Sequence, residues 1–252
     1  MWSERQIAML AEMGIRVWSP HADAPLDEVH TPPAAPRQAG GGAAAAALDV
    51  PAREPRARLG GVASMDWPAL REAVAACRAC KLCEGRTQTV FGVGNERAQW
   101  MVVGEAPGEQ EDLKGEPFVG KAGQLLDNML RALGLTRGEA DAQHQVFIAN
   151  TLKCRPPRNR NPEPEELAQC EPFLIRQIEL VQPKIILAMG RFAVQSLLKS
   201  GEPIGRLRGR VHQYQGVPLV VTYHPAYLLR NPQDKARAWE DLCLAASVVT
   251  SS

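Results

Sequence analysis

The chain has 252 residues, of which 29 are basic and 28 acidic, so its formal net charge of +1 excludes attraction of the whole molecule to nucleic acid and leaves local patches for any such binding. A hydrophobic fraction of 45% is enough for a core, and no apolar run approaches the ~20 residues that a membrane span needs. The N-terminus also lacks the basic start and long apolar core of a signal peptide. We therefore predict a soluble cytoplasmic protein, in which six cysteines indicate metal or redox chemistry before structural disulfides.

Three regions follow one another along the chain. Residues 1–20 contain a short amphipathic helix, with apolar side chains at helical spacing. Residues 21–64 are rich in Ala, Pro and Gly and contain no Phe, Tyr or Trp. Such a segment cannot offset its ordering entropy by burying large apolar groups, so it predicts a disordered, flexible linker. Residues 65–252 have the composition of a folded domain.

Apolar strands alternate with helical patterns through this domain. The strand patterns cover residues 99–104, 145–150, 184–190 and 217–225. The helical patterns cover residues 121–133, 164–181, 191–199 and 232–249. Such alternation predicts an α/β fold, a three-layer α/β/α sandwich around a central, mostly parallel sheet of four strands.

Polar and small residues stand where these predicted strands end. The four ends carry Gly104 with Glu105, then Asn150, Gly190 and His224. Ligands of parallel sheets gather at the carboxyl ends of the strands, so a carboxylate, an amide and an imidazole are expected on one rim. The acidic, glycine-rich loop that follows the first strand is then one wall of a pocket.

Five cysteines fall into two groups. Cys77, Cys80 and Cys83 lie in the run CRACKLC, whereas Cys154 and Cys170 are separated by 15 residues. Two thiolate pairs of this kind suit zinc or an iron–sulfur cluster, and the spacing alone does not choose between them. The sixth cysteine, in the last helix, is interpreted as an ordinary core thiol.

Four motifs together resemble the iron–sulfur (family 4) uracil-DNA glycosylases of bacteria and archaea. They occur in the family's order between residues 77 and 232, and they read CRACKLCEGRTQTVFGVGN, GEAPGEQEDLKGEPFVGKAG, NTLKCRPPRNRNP and HPAYLLRNP. The resemblance implies an α/β/α repair enzyme that flips uracil out of DNA and hydrolyses its N-glycosidic bond. It also implies a four-iron, four-sulfur cluster, regarded in the family as structural. The implied ligands are Cys77, Cys80, Cys154 and Cys170, with Cys80 and Cys83 as the alternative first pair.

The resemblance also implies a uracil pocket. Phe118 resembles the family's stacking aromatic, and His224 resembles the histidine that bonds uracil O2 and stabilises the leaving anion. The Asn150 amide has the donor and acceptor needed to read the O4 and N3–H edge of uracil and to reject cytosine. The full set expected to bind uracil is Gly104, Glu105, Ala106, Pro107, Phe118, Asn150 and His224.

The catalytic carboxylate is less closely defined. Family 1 enzymes place a water-activating aspartate at the position that is Ala106 here, so Glu105, Glu111 and Asp112 are candidates and Glu105 is favoured. The predicted catalytic set is Glu105, His224 and Glu111. The rival interpretation of Glu111 and Asp112 is that they complement a helix dipole.

Basic and apolar residues outside the pocket are candidate DNA contacts. The arginines, expected on phosphates, are Arg155, Arg158, Arg160 and Arg208. The residues expected to wedge into the base stack are Tyr227, Leu228 and Leu229. The rival interpretations are solvated charges for the first group and helix packing for the second.

Two alternatives concern the reaction and the partners. A non-catalytic or uracil-trapping iron–sulfur protein would also bind DNA, but relatives that trap uracil use a histidine in a basic loop, and the run after Cys154 has none. Residues 4–20 include the run LAEMGIRVWSP, which resembles the N-terminal peptide by which the psi subunit of the bacterial replicase clamp loader binds chi. They are a candidate docking peptide, the rival being a helix that folds back on the domain. We expect a monomer.

Overall fold

The computed structural model describes residues 61–251. The predicted helix within residues 1–20 and nearly all of the predicted linker lie outside the described residues. Residues 62–64, predicted as the end of the linker, instead form a 3-10 turn (Val62–Ser64), in which Val62 is only 2% exposed. Val62 packs into the same apolar cluster as Leu70 and Phe173. The packed domain therefore includes a few residues before the predicted boundary.

The described chain contains six strands and eight α-helices. The strands are β1 (Val93–Gly94), β2 (Trp100–Gly104), β3 (Phe147–Asn150), β4 (Ile185–Met189), β5 (Val211–Tyr214) and β6 (Val217–Thr222). The helices are α1 (Trp67–Ala75), α2 (Glu109–Lys114), α3 (Lys121–Ala132), α4 (Pro164–Val181), α5 (Arg191–Leu198), α6 (Ile204–Leu207), α7 (Pro225–Arg230) and α8 (Lys235–Ser251). None of these helices is long and apolar enough to cross a membrane.

All six strands belong to one sheet, in the order β1-β3-β2-β4-β6-β5. The four central strands are parallel, and β1 and β5 pair antiparallel with β3 and β6 at the two edges. The α/β prediction is confirmed, but the sheet has six strands where four were predicted. The two missed strands are short edge strands, only partly buried, and so lack the apolar runs that mark the four central ones.

Two helical layers cover the sheet because successive strand residues point to opposite faces. On one face Val102, Ile148 and Leu187 pack in a cluster with the apolar sides of α3, α7 and α8. On the other face Val103 and Ile186 pack with α4, α5 and α6. A third apolar cluster joins α1 to α4 beside the sheet. The predicted three-layer α/β/α sandwich is thus confirmed.

Parallel pairing aligns the strand ends that carry the predicted site. Gly104 and Asn150 are register partners at the carboxyl ends of β2 and β3. On the next strands Met189 pairs with Thr222, so that Gly190 and the Tyr223–His224 pair leave the sheet side by side. The four connections therefore open at one edge of the sheet, as the sequence predicted.

Candidate active site

A cleft of about 1000 Å³ opens at this carboxyl edge. It brings together six of the seven residues predicted to bind uracil. Those lining it are Glu105, Ala106, Pro107, Phe118, Asn150 and His224. Its far wall comes from the N-terminus of α5 and from residues 201–205, which precede and begin α6.

Gly104, the seventh predicted residue, lies behind the lining, where its missing side chain matters. A Cβ atom at this position would lie 2.6 Å from Cζ of Phe118 and would collide with Oδ1 of Asn150. The glycine therefore allows an aromatic ring and an amide to approach the same strand end.

Phe118 has a backbone conformation that a bulky residue rarely adopts. Its φ is 55°, in the left-handed region, although its side chain is only 6% exposed. The ring stacks on the imidazole of His224, with ring centroids 5.3 Å apart and planes 23° from parallel. Such a conformation is strained by ~1–3 kcal/mol, and it persists only where neighbours fix it.

Glu111 is one of those neighbours. Its Oε1 accepts a hydrogen bond from the backbone N–H of Val119 at 3.0 Å, and its Oε2 accepts from Gly108 at 3.1 Å. The adjacent Asp112 is buried, and both of its carboxylate oxygens accept from the backbone N–H of Thr87 at 3.0 Å. Both carboxylates are therefore occupied in holding loops. Glu111 lines the cleft while both of its oxygens support the loops around Phe118, and its predicted catalytic role stays a prediction.

His224 is held as a neutral hydrogen-bond donor. Its Nδ1 accepts from the backbone N–H of Ala226 at 3.1 Å, so the proton of the neutral ring lies on Nε2. Burial lowers the pKa of His224 to about 4, and the neighbouring Glu111 only partly opposes that effect. The imidazole is therefore uncharged near pH 7 and presents one N–H.

Gly190 gives this ring its space. It has a φ of 92°, and a Cβ atom there would lie 3.0 Å from Cβ of His224. Any other residue would be strained in its backbone and crowded against the imidazole. The end of β4 thus contributes to the site by leaving room for His224.

Asn150 is almost fully buried, and it lines the cleft. It is 3% exposed and ends β3, and its backbone carbonyl accepts from Nζ of Lys153 at 2.8 Å. The side-chain amide, with one acceptor and two donors, is free of that bond and lines the cleft. It can read a polar edge that offers both a donor and an acceptor.

Glu105 supplies one of the two carboxylates that line the cleft. Its backbone carbonyl accepts from Oγ1 of Thr151 at 2.6 Å and from the N–H of Leu152 at 3.1 Å, which ties the β2 loop to the β3 loop. Burial raises the pKa of Glu105 to about 7. A carboxylate with a pKa near the working pH is suited to accept a proton from water.

Three of the predicted DNA-contacting arginines lie in the segment that follows Cys154, in which Pro156, Asn159 and Arg160 line the cleft. Arg158 is exposed, with a φ of 55°, in the 3-10 turn Pro157–Asn159. Arg155 bonds Oδ1 of Asn159 at 2.8 Å, and Arg160 lines the cleft while it forms a two-contact salt bridge with the buried Glu166. This turn is therefore a fixed basic rim.

Two other residues predicted to contact DNA, Arg208 and Leu228, have their partners within the domain. Arg208 forms salt bridges of 3.1 Å with Asp241 and 2.9 Å with Glu240, so its charge is neutralised within the domain. Leu228 is fully buried in the core beneath α7, so it is a packing residue and cannot wedge into DNA in this conformation. Leu229, beside it, is 44% exposed.

Tyr227 lines the cleft but is also held by contacts within the domain. Its hydroxyl donates to Asp234 at 2.7 Å. Its ring stacks on that of Tyr223 at 5.1 Å between centroids. The sequence analysis missed Tyr223, because a tyrosine before the histidine carries no signal of its own. It also missed the wall at residues 201–205, which contains no motif.

The five clustered cysteines line a second, smaller cavity beside the cleft. These are Cys77, Cys80, Cys83, Cys154 and Cys170. Nη1 of Arg86 donates to Sγ of Cys154 at 3.1 Å, and the backbone N–H of Lys153 donates to Sγ of Cys170 at 3.2 Å. Burial raises the pKa of Cys80 to about 11 and that of Cys170 to about 12.

The lining of this cavity supplies thiol donors of the kind that an iron–sulfur cluster would need. Among the described residues no three His, Cys, Asp or Glu side chains converge on a point that would hold a single ion. The thiols surround a shared space, and two of them, Cys154 and Cys170, accept hydrogen bonds from a guanidinium and a backbone N–H, as metal-bound thiolates do. All five line the cavity, so its lining does not choose between Cys80 and Cys83.

A cleft that combines a stacking ring, a buried amide and a neutral imidazole is built to hold a flat polar ring, as in enzymes that act on nucleobases. Residues 91–243 match the family model described as the Uracil DNA glycosylase superfamily, and the chain belongs to this superfamily. The resemblance predicted from the four motifs is confirmed.

Individual relatives carry the same family name. The chain is 45% identical over 168 residues to a type-4 uracil-DNA glycosylase of Archaeoglobus fulgidus, a match that covers 64% of this chain and 81% of the relative. It is 45% identical over 181 residues to one of Sulfurisphaera tokodaii, covering 68% and 80%. It is 43% identical over 183 residues to one of Thermotoga maritima, covering 71% and 92%.

Proposed function

We propose that this protein is a uracil-DNA glycosylase, which takes uracil out of the base stack of DNA and hydrolyses its N-glycosidic bond to leave an abasic site for base excision repair. The observation that carries the proposal is the convergence of Phe118, Asn150, His224 and Glu105 on one cleft at the carboxyl edge of the sheet. The type-4 relatives support it.

Two residues bind the flipped base in this proposal. The Phe118 ring, held in its strained turn, stacks on the face of uracil. The Asn150 amide accepts from N3–H and donates to O4. Cytosine presents an acceptor and a donor in the reverse order, so it would leave the buried amide unpaired, and that mismatch is the source of discrimination.

The reaction breaks the bond between C1′ of the sugar and N1 of uracil. The electron pair leaves with the base, so negative charge develops at uracil O2 and positive charge on the sugar. The N–H at Nε2 of His224 donates to O2 as that charge grows. A preorganised donor of this kind contributes ~10²–10³ in rate. The Glu105 carboxylate stabilises the sugar cation and accepts a proton from the water that attacks C1′.

Four cysteines, Cys77, Cys80, Cys154 and Cys170, are proposed to hold a four-iron, four-sulfur cluster, with Cys83 as the alternative to one of the first pair. When bound, the cluster supplies a covalent link between the start of the domain and the loop after β3. The rim arginines Arg155, Arg158 and Arg160 are proposed to contact DNA phosphates. They follow Cys154 directly, so the link would also hold this basic turn.

Residues 4–20 are proposed as a docking peptide for a subunit of the replicase clamp loader, and residues 61–252 as the catalytic domain. The docking segment lies outside the described residues, so only its sequence supports this part. A synthetic peptide of residues 4–20 that fails to bind the isolated chi subunit would end it.

Alkali-revealed cleavage of a labelled oligonucleotide with one uracil tests the main proposal. We expect abasic product from wild-type protein and a loss of ~10²-fold or more with His224→Ala and with Asn150→Ala. A matched oligonucleotide with cytosine in place of uracil should give no product. Absence of product from iron-loaded wild-type protein would overturn the proposal.

A further inference from the structure

Lys153 lines the cysteine cavity and hydrogen-bonds to the backbone of Asn150, a residue of the cleft. Lys153 is only 1% exposed. The side-chain Nζ donates to the backbone carbonyl of Asn150 at 2.8 Å, and the backbone N–H donates to Sγ of Cys170 at 3.2 Å. One residue therefore touches the strand end that carries the base-reading amide and a proposed cluster ligand.

A second acceptor fixes the Lys153 ammonium in place. Oε1 of Gln177, a fully buried side chain of α4, accepts from Nζ at 2.6 Å, and Nε2 of Gln177 donates to the carbonyl of Phe91 at 2.9 Å. Hydrogen bonds to Asn150 and Gln177 therefore fix the orientation of the ammonium, and Gln177 is itself fixed by its bond to Phe91. Its hydrogen bond to Asn150 is part of the architecture and does not depend on a mobile surface side chain.

The hydrogen-bond network supplies no negative charge to balance the positive charge of the Lys153 ammonium. Within residues 61–251 the Lys153 ammonium forms no salt bridge, and its two oxygen acceptors are neutral amides. A buried cation is strongly disfavoured without a countercharge. A cluster held by four thiolates is anionic, and the cavity in which it would lie is lined by Lys153 itself.

We infer that Lys153 is a positioning residue that couples the cysteine site to the uracil pocket. The charge of the bound cluster holds the ammonium, the ammonium holds the Asn150 carbonyl, and the carbonyl fixes the end of β3 from which the Asn150 amide reads uracil. This inference rests on the proposed function and on the proposed cluster. Because coupling between two sites is reciprocal, uracil in the cleft must also hold the cluster more firmly.

The reciprocal effect can be measured without turnover. The iron-loaded full chain is exposed to an iron chelator, and the loss of the cluster's visible absorbance is followed with and without saturating free uracil. Free uracil occupies the cleft but covers no other surface, so shielding by DNA does not contribute. In wild-type protein we expect uracil to slow iron loss by ~5-fold or more, because ordinary allosteric coupling begins near this factor and differences in affinity lie mostly in the rate of dissociation.

Three variants locate the coupling. Lys153→Met keeps an unbranched side chain but removes the ammonium, and we expect the ratio of the two rates to fall to about one. Gln169→Leu changes another residue that lines the same cavity, for which the described residues show no hydrogen bond to Asn150, and it should keep the wild-type ratio. Gln177→Met keeps the bond from Lys153 to Asn150 but removes the second acceptor of the ammonium, so it should lower the ratio. It gives a second test of the role of Lys153 if Lys153→Met does not load iron.

The outcomes separate this inference from the proposed function. A wild-type protein that releases uracil from DNA but loses iron at the same rate with and without free uracil overturns the coupling alone. A full wild-type ratio in Lys153→Met, or in Gln177→Met where Lys153→Met does not load iron, overturns the role of Lys153. A wild-type protein that releases no uracil overturns the proposed function, and this inference with it.

Discussion

Glu105 and His224 face the same cleft, yet burial moves their pKa values in opposite directions. It raises the pKa of Glu105 to about 7 and lowers that of His224 to about 4. Burial disfavours the charged form of each, which is the anion for the carboxyl group and the cation for the imidazole. Near neutral pH the histidine is therefore already in its donor form, whereas the carboxyl group is still titrating.

The activity should consequently rise with pH through the Glu105 titration. We expect kcat/KM for uracil release to increase up to about pH 7 and then level, because only the ionised carboxylate accepts a proton and stabilises the sugar cation. Glu105→Gln should be slower by ~10²-fold or more and should lose this acid limb between about pH 5 and 8. The pH dependence of kcat/KM for both proteins checks this. An acid limb that remains in Glu105→Gln would assign it to another group.

Individual residues show which parts of the site could be predicted from the sequence. Asn150, His224 and Glu105 were predicted because each ends or directly follows an apolar strand pattern, and the geometry of parallel sheets brings such ends together. Lys153 could not be foreseen, since its burial and its bond to Asn150 depend on a turn after β3 that no periodicity marks. The salt bridges of Arg208 could not be foreseen either, because its acidic partners are 32 and 33 residues away.

At the scale of elements, the same limit applies to strands. The four central strands are continuous apolar runs, since both faces are covered by helices, and such runs are visible in the sequence. The edge strand β5 alternates exposed and buried residues and directly follows a basic run. β1 is only two residues long and includes a glycine. Edge strands are defined by their partner rather than by their own composition, so the sheet was predicted too narrow.

Helix α7 shows how two adjacent leucines can have different functions. Leu228 is fully buried against the core, whereas Leu229 is 44% exposed on the side of the helix that faces solvent. The helix begins at Pro225, directly after His224 of the cleft, so its exposed face lies close to where DNA is proposed to enter. Of the three residues predicted as wedges, Leu228 is buried, so the prediction is carried by Leu229 and Tyr227.

Alanine substitutions at the two positions should separate stability from base flipping. Leu228→Ala should lower the free energy of unfolding by ~2–5 kcal/mol through the cavity that it leaves. Leu229→Ala should leave stability within ~0.5 kcal/mol but lower kcat/KM on duplex DNA more than on single-stranded DNA, because an unpaired uracil needs no wedge. Chemical unfolding and parallel assays on the two substrates measure both effects. Equal loss on the two substrates for Leu229→Ala would remove it from base flipping.

On the scale of the whole molecule, the cleft and the cysteine cavity both belong to the described domain. The matched family segment, residues 91–243, includes the cleft loops but begins after the first three cysteines. These come from the segment that joins α1 to the sheet, and α1 packs on α4 together with Val62. Within the described residues, the packed domain therefore extends toward the N-terminus, beyond the family match, as far as Val62.

Two truncated proteins test where this domain begins. A chain that starts at residue 61 should keep the wild-type kcat/KM for uracil release and its iron content, because every residue proposed for the cleft and the cluster remains. A chain that starts at residue 65 loses Val62, which is 2% exposed, and with it ~1.5–3 kcal/mol of apolar burial. At ~2–4 °C per kcal/mol for a domain of this size, its Tm should fall by roughly 3–12 °C relative to the residue-61 chain. Thermal unfolding of the two chains, with activity measured beside it, decides the boundary. Equal Tm values would restore the predicted start at residue 65, and lost activity in the residue-61 chain would give the N-terminal segment a catalytic part.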